Sequence, residues 1–522
     1  MKHYDAIIIG GGLNSLLTAM LLAKEKKSVI LFESKNKIGG MASMEEFHPG
    51  FKCNLIHDYL PLMNDNLMKK LQLDKLNLKF HDRDPLHIAL DNDEKHLIFS
   101  NDIDQTIASI ARHSSKDADK WPYFINYIDK LTQFLIPLYF SIPPKISDIG
   151  IKDAIALKEM FRPIKKHGSR GFVDFLRTAP MMMPELMDEW FESELLRGNL
   201  SAKGVLYINQ GPYSAATTLN FLHQNIFSNG NIFNSLIMEG GIESFIQKIY
   251  DVAIKRGVTM MLNTHIKKIN CKNDICIGVT TFDDKQYTAK NIISGIDPNN
   301  TFLKLIGSTN INPKFRRQLN NIKYVGSTAR IHFALNNLPR IPGIKKEEMN
   351  AIFSINPSIE YIEKAHDDIK YGQYSKNPHM EFSFPSILNP DMAPLGKQVL
   401  SATVQHIPHK LKNATWNEKI KETISQKIIL IIEKHIPNFS QYIEHSMLMT
   451  PIDFENAIGI TEGNINHGEM TLDQFYFMRP TMSSAQYNTP IKNLFLCGPG
   501  THPGGGLHGI NALNAVKRIL NT

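Results

Sequence analysis

The stretch Tyr4-Asp5-Ala6-Ile7-Ile8-Ile9-Gly10-Gly11-Gly12-Leu13-Asn14-Ser15 runs from an apolar segment through three glycines into helical spacing. Ala6 to Ile9 is a continuous apolar run, as expected of a parallel strand buried on both faces. Gly10 permits a tight turn, and Gly12 lets backbone N–H groups approach a pyrophosphate. Leu13, Leu16, Leu17, Met20 and Leu21 then fall on one helical face. The start of that helix presents free N–H groups and the positive end of its dipole to the phosphates. Ser28 to Phe32 reads as a second strand, ended by Glu33. That carboxylate lies 23 residues past Gly10, near the roughly 20 expected of an acid that grips a ribose hydroxyl. The expected dinucleotide contacts are therefore Gly10, Gly12, Leu13, Asn14 and Ser15 at the turn, with Glu33 and Ser34 at the ribose. Ser15 stands where a third glycine is usual, and its small side chain keeps helix–strand packing close. Gly39-Gly40 offers a second turn against the cofactor, with a plain surface turn after Asn36 as the competing reading.

A similar passage stands near the other end of the chain. Asn493 to Cys497 is a buried-strand candidate. Gly498 to Gly506 then holds five glycines and two prolines in nine residues, which excludes helix interior. Leu507 to Leu520 reads as a terminal helix. Its start is expected at the pyrimidine edge of a flavin, where its dipole favours the reduced ring. A cofactor touched by both ends of one chain is long, and FAD fits that better than NAD. His502 and His508 flank the glycine loop. Upstream, Gly463 to Glu469 and Gln474 to Pro480 combine polar groups with aromatics, either as a pocket wall or as a capped turn with a packed aromatic strand.

With 522 residues the chain exceeds one core, so two domains are expected. Apolar content of 42% and charged content of 21% are ordinary for a soluble protein. The net charge of +7 is modest and gives no argument for nucleic acid, although it suits an anionic membrane surface. Cys53, Cys271, Cys276 and Cys497 are scattered, and Cys271 and Cys276 have the wrong spacing for a Cys-x-x-Cys redox pair or zinc site, so neither is expected. Strand one begins at about Asp5, leaving no room for a signal peptide, and no apolar run reaches the ~18 residues of a membrane span. The expected setting is reducing and cytoplasmic, with peripheral membrane contact left open.

Residues 60–230 read as mostly helical, with helices over Phe124 to Leu135, Ile151 to Phe161, Phe172 to Leu176 and Met187 to Leu196. The apolar run Phe134 to Phe140 precedes a basic cluster of Arg162, Lys165, Lys166, His167 and Arg170. It reads as a lipid contact or, more plainly, as a core helix beside a solvated loop. Met181 to Met183 with Met187 suits an adaptable pocket or ordinary core. After Gly240-Gly241 come a helix through Arg256 and strands at Val258 to Leu262, Ile266 to Ile269, Ile275 to Thr281 and Asn291 to Ser294. No phosphate turn is read after these strands, so one dinucleotide site is expected. Tyr324 to Leu335 and Lys397 to Ile407 alternate like sheet strands, and Trp416 to His435 is a long helix. The domains are therefore expected to interleave.

Several blocks together resemble the bacterial-type phytoene desaturases and carotenoid isomerases, and within them a phytoene-dehydrogenase-related branch that carries a pyridine nucleotide-disulfide oxidoreductase label. They are Gly39-Gly40 with His48 to Lys52, Asp188 to Ser193, Pro385-Ser386 with Asp391 to Lys397, Gly463 to Glu469, and Gly500 to Gly506. The chain departs from the pattern at Ser15, at Met41 where arginine is common, and at Pro499 where a small residue is usual. The resemblance implies an α/β fold: a Rossmann-type FAD-binding domain (1–80, 230–310 and 480–522) interleaved with a mixed sheet-and-helix substrate domain (81–229 and 311–479), as in amine-oxidase-like flavoproteins. It implies non-covalent FAD, with Gly40 and Met41 along the pyrophosphate and ribityl chain and Ile266 at the adenine. Gly498, Gly500, Thr501, Gly509 and Ile510 would lie at the flavin end. The implied chemistry is hydride transfer to or from an apolar, isoprenoid-like small molecule, in the desaturase, saturase or isomerase direction. His467, Glu469, His502 and His508 are the candidates for proton handling. A flavin amine oxidase and a non-enzymatic prenyl- or lipid-binding escort module are the alternatives. No metal is expected, oligomeric state is unspecified, and the absent Cys-x-x-Cys argues against disulfide reduction.

Overall fold

A computed structural model describes residues 3–145 and 162–522. In chain order, β1 (His3–Ile9) and β2 (Val29–Phe32) flank the helix Leu13–Lys24. A ribbon of β3 (Met44–His48) and β4 (Phe51–Asn54) follows, then the hairpin of β5 (His87–Ala89) and β6 (Leu97–Phe99). After a helical stretch come β7 (Thr259–Met261), β8 (Ile266–Lys272), β9 (Ile275–Thr281) and β10 (Gln286–Ser294). The next set is β11 (Thr328–Leu335), β12 (Ile352–Ile355), β13 (Met380–Ser383), β14 (Gln398–Gln405) and β15 (Ile443–Met449). The last strand, β16 (Leu494–Leu496), leads to the helix Ile510–Leu520.

Two large sheets result. The first runs β7-β2-β1-β10-β9-β8, with β16 also paired to β10; the second runs β15-β11-β14-β13-β12-β5-β6. In the first, β1, β2, β7, β10 and β16 are mutually parallel. The apolar runs of β2 and β16 are buried on both faces, as a sheet covered on each side requires, while β7 at the edge is half-buried. The helices Leu13–Lys24, Gly241–Lys255 and Ile510–Leu520 share one core with the long helix Ser115–Tyr139 and the helices of residues 183–224. A separate core of Ile, Phe and Val packs the second sheet against the helix Glu418–Glu433.

Several sequence expectations are corrected. The region read as mostly helical contains β5 and β6, which join the second sheet. Their three-residue runs are too short to carry a period. Met187 to Leu196 is not one helix. The buried carboxylate of Asp117 accepts N–H bonds from Glu192 (3.0 Å) and Ser193 (2.8 Å), ending the helix Met183–Trp190 and fixing the start of Glu194–Val205. Phe172 to Leu176 belongs to a longer element, Arg162–Thr178, broken at Gly168. Ile151 to Phe161 lies outside the described residues.

β11 and β14 do not alternate: β11 is buried along its whole length, Arg330 and His332 included. One face packs on the second core. On the other, Arg330 meets Asp58 and donates to Thr403 Oγ1 (2.7 Å), and His332 bonds Ser401. The segment around Gln474 to Met478 forms short 3₁₀ turns, not a strand. Phe134, Leu135, Leu138, Met183 and Met187 are core residues.

Candidate functional site

The parallel strands bring their carboxyl ends to one edge of the first sheet, the usual place for a ligand crevice in such sheets. Backbone bonds align the turns there. Gly10 N–H donates to Phe32 O (2.8 Å), Gly295 N–H to Ile9 O (2.9 Å) and Cys497 N–H to Ser294 O (2.8 Å). A cavity opens at this edge. Its wall comes from Gly10 to Ser15, Glu33, Gly39 to Met41, Gly295 to Asp297, Ile458 to Ile460, His467, Pro499 and Leu507.

The N-terminal residues fit a dinucleotide. Gly10 has φ +93°, which an L side chain rarely adopts. Gly12 is extended, and a Cβ placed on it would meet nothing within 4 Å, so the space in front of it is open. No side chain caps the helix that starts at Leu13, so the N–H groups left over at a helix start are available to an anion. The side-chain oxygen of Asn14 is buried in this wall without a hydrogen-bond partner. Glu33 is held rigidly: Oε2 accepts from Gly11 N–H (2.6 Å), and Oε1 accepts from Lys35 N–H (2.8 Å) and Ser34 Oγ (3.0 Å). Gly39 N–H donates to Gly11 O (2.9 Å), which sets the second glycine turn against the first. Ile266 lies on β8, off this wall; Thr264, two residues before it, donates its N–H to Glu33 O (2.9 Å).

The C-terminal loop is different in character. Of its residues, Pro499 and Leu507 line the cavity, while Gly498, Gly500, Thr501, Gly509 and Ile510 do not. The glycines there serve close packing: a Cβ at Gly498 would strike the Gly295 carbonyl, at Gly500 Pro298, and at Gly505 the Asn466 amide. Thr501 Oγ1 donates to Gly498 O (2.8 Å), and Asn511 donates to Thr501 O (3.0 Å), locking the loop to the terminal helix. Gly295 to Asp297, directly after β10, is a cavity turn that the sequence reading overlooked. It belongs to the same site as Gly10, and a glycine directly after an apolar strand was the available signal.

Arg479 joins the two upstream turns to this loop. It is 1% exposed. Its guanidinium makes six contacts to five backbone carbonyls: Asn466, Gly468 (3.1 Å), Glu469 (3.0 Å), Gln474 (3.3 Å) and Pro499 (3.3 and 3.0 Å). Among the described residues it has no carboxylate partner, and burial lowers it to about 10.

The four proton-handling candidates occupy different environments. His467 is on the cavity wall with Nδ1 unpartnered, and burial lowers it to about 4, so its imidazole is neutral. Glu469 is off the wall. Its carboxylate accepts from Asn209 N–H (3.0 Å) and Asn464 Nδ2 (2.6 Å), and burial raises it to about 7 against those bonds. His502 is wedged among Tyr139, Phe475 and Tyr476 with Nε2 on Leu138 O (2.9 Å). His508 accepts the N–H of Ile510 at Nδ1 (3.1 Å), capping the terminal helix. Burial lowers both to about 3.

A second cavity lies beyond Leu507, which lines both. His57, Tyr59, Lys203 and Tyr207 contribute polar groups, and Leu206, Ile232, Phe233 and Ile352 an apolar side. Asp58, between His57 and Tyr59, pairs with Arg330 in the buried network under β11. None of these was singled out in the sequence, because they come from segments far apart in the chain with no shared motif.

Two predictions follow from these environments. Arg479→Met leaves four carbonyls without a donor, Glu469 O keeping that of Gln474 Nε2 (3.0 Å), and is expected to lower unfolding free energy by at least about 3 kcal/mol. Arg479→Lys, which has three donors on a point charge, is expected to recover only part of it. Denaturant melts read this, and a lysine variant as stable as the wild type would mean that charge alone suffices. For Glu469 the folded carboxyl sits above the unfolded value of 4.5 at about 7. The folded chain therefore binds the proton more tightly, and the stability this contributes is lost as pH rises from the lower value through the higher. Glu469→Gln should gain on the wild type by about 2–3 kcal/mol between about pH 5 and about pH 8. A pH-independent difference between the two proteins would contradict the raised carboxyl.

Comparison with known proteins agrees with this architecture. The family described as an NAD(P)-binding Rossmann-like domain matches residues 8–71. The chain is 28% identical over 543 aligned positions to pyridine nucleotide-disulfide oxidoreductase domain-containing protein 2 of Rattus norvegicus, covering 99% of this chain and 93% of that one. It is 22% identical to the lycopene-forming phytoene desaturase of a Paracoccus strain, covering 99% and 97%. Among solved structures, an oxidoreductase from Methanosarcina mazei superposes with a TM-score of 0.62 at 14% identity, covering 99% and 100%. A putrescine oxidase variant gives 0.58 at 12%, covering 99% of each. The chain is an oxidoreductase with a Rossmann-like dinucleotide-binding domain in an amine-oxidase-like two-domain fold, a full-length homologue of the Rattus protein and, more distantly, of the phytoene desaturases.

Proposed function

We propose that the chain is an FAD-dependent oxidoreductase that exchanges a hydride with a small molecule carrying an apolar body, in the desaturase, saturase or isomerase direction. The observation that carries this reading is the meeting of two cavities at Leu507, one faced by the Gly10 turn and Glu33, the other half apolar. FAD, when bound, supplies the two-electron acceptor and donor. Gly12, Leu13, Asn14 and Ser15 bind its pyrophosphate with uncapped helix N–H groups, and Glu33 takes a ribose hydroxyl. Met41 and Gly40 continue that wall, and Pro499 and Leu507 border the end next to the second cavity. Leu206, Phe233 and Ile352 hold the apolar body and exclude water, which favours hydride exchange over side reactions. His467, neutral and with Nδ1 unpartnered, holds or takes a proton beside the cavity.

The visible spectrum of the purified protein tests the cofactor. Flavin bands that leave as free FAD on heating are expected; a colourless protein that takes up no added FAD would overturn the reading. Gly12→Val fills space that no protein atom occupies. It is therefore expected to abolish FAD retention while the flavin-free protein unfolds within about 0.5 kcal/mol of flavin-free wild type. Retention of FAD by this variant would place the pyrophosphate elsewhere.

A further inference from the structure

We propose that the second cavity recognises a carboxylate, so that the substrate is amphipathic, its anionic end held at Lys203 and its reacting carbon toward Leu507. This rests on reading the two cavities as cofactor and substrate sites. Lys203, on the helix Glu194–Val205, lines the cavity yet is only 8% exposed. Its Nζ is 3.0 Å from Glu381 Oε1 and lies over the Phe233 ring at 5.5 Å. An ammonium has three donors, and Glu381 is its one ion-pair partner among the described residues. Tyr59, also on the wall, brings its hydroxyl to 3.4 Å from Glu381 Oε2.

A second cation stands behind the same wall. Arg83 is 4% exposed, donates from Nη2 to Ser235 Oγ (2.7 Å) on the cavity lining and from Nη1 to Leu86 O, and leaves Nε buried without a partner. No carboxylate pairs with Arg83 among the described residues. The other buried carboxylate nearby, Asp58, is taken by Arg330. Lys203 thus pairs with Glu381 and Arg83 with no carboxylate, so the two cations at this wall outnumber their ion-pair partners by one. Burying an unpaired charge is costly unless a counter-ion arrives. One surplus charge suits a monoanionic carboxylate better than a phosphate ester, which carries about −1.5 to −2. It also opposes an ammonium substrate. The apolar side formed by Leu206, Ile232, Phe233 and Ile352 takes the rest of the molecule.

Calorimetric titration of the full chain with octanoate, 1-octanol, octylamine and octyl phosphate varies the head group on one tail. Octanoate is expected to bind at least about tenfold tighter than the alcohol and the amine, and tighter than the phosphate. Lys203→Met should erase the preference and Lys203→Arg should keep it. Because Lys203→Met leaves Glu381 buried alone, the double variant Lys203→Met/Glu381→Gln is measured beside it and is expected to bind octanoate no tighter than octanol. Equal or tighter binding of any other head group, no binding of octanoate at millimolar concentration, or a preference that survives in the double variant would overturn the proposal. The flavin spectrum separates the two readings. A colourless protein that prefers octanoate sustains the carboxylate site and sinks the FAD assignment, and a flavin-bearing protein without the preference does the reverse.

Discussion

A guanidinium with no carboxylate partner among the described residues, Arg479, is the interaction on which the site depends. Its charge is buried against peptide carbonyls alone, so its solvation comes entirely from the chain that surrounds it. Such an arrangement is tolerable only when most donors are used, because burial penalises an unsatisfied charged group heavily. The turn from Asn466 to Gln474 and the loop at Pro499 are held in register with each other by that requirement. That register puts His467 and Pro499 on one wall. The same charge helps burial keep His223, His467 and His502 neutral.

Much of this was legible in the sequence, and the legible part is local. The first strand, glycine turn, helix and Glu33 fall within 31 residues counted from His3, and each link is a nearest-neighbour rule. Glu33 is placed by the turn beside it, since Gly11 N–H finds its carboxylate. The interleaving of the two sheets also showed in the order of apolar runs. Periodicity failed where a side chain from elsewhere decides the matter. Asp117 breaks a helix 75 residues away by taking two of its N–H groups. Arg330 sits inside a strand that reads as alternating because Asp58, 272 residues distant, compensates it.

The glycine-rich C-terminal loop shows how a correct motif can hold an incomplete reason. Its composition suggested backbone laid against a ligand. The structure gives most of those glycines to protein neighbours: Gly295, Pro298 and the Asn466 amide each occupy the place of a side chain. A loop pressed this closely on two other turns is rigid, and rigidity at a cavity wall is what positioning a reactive ring requires. The polar side of the second cavity is harder still to foresee, because Tyr59, Lys203 and Glu381 are spread over more than half of the chain and meet only when both sheets have formed.

The parallel pairing of β16 with β10 also bears on how the protein is made. β10 has β1 along one edge and needs β16 to fill part of the other, and the residues between them include five strands of the second sheet, β11 to β15. While the ribosome is still adding those residues, part of the β10 edge stays open, waiting for a partner some 200 residues further along the chain. At roughly 5–20 residues per second, that interval lasts on the order of ten seconds or more, long enough for unpaired edges to find one another. Early occupation of the Gly10 turn by its dinucleotide, before the last strand arrives, would give the nascent chain a scaffold across that gap.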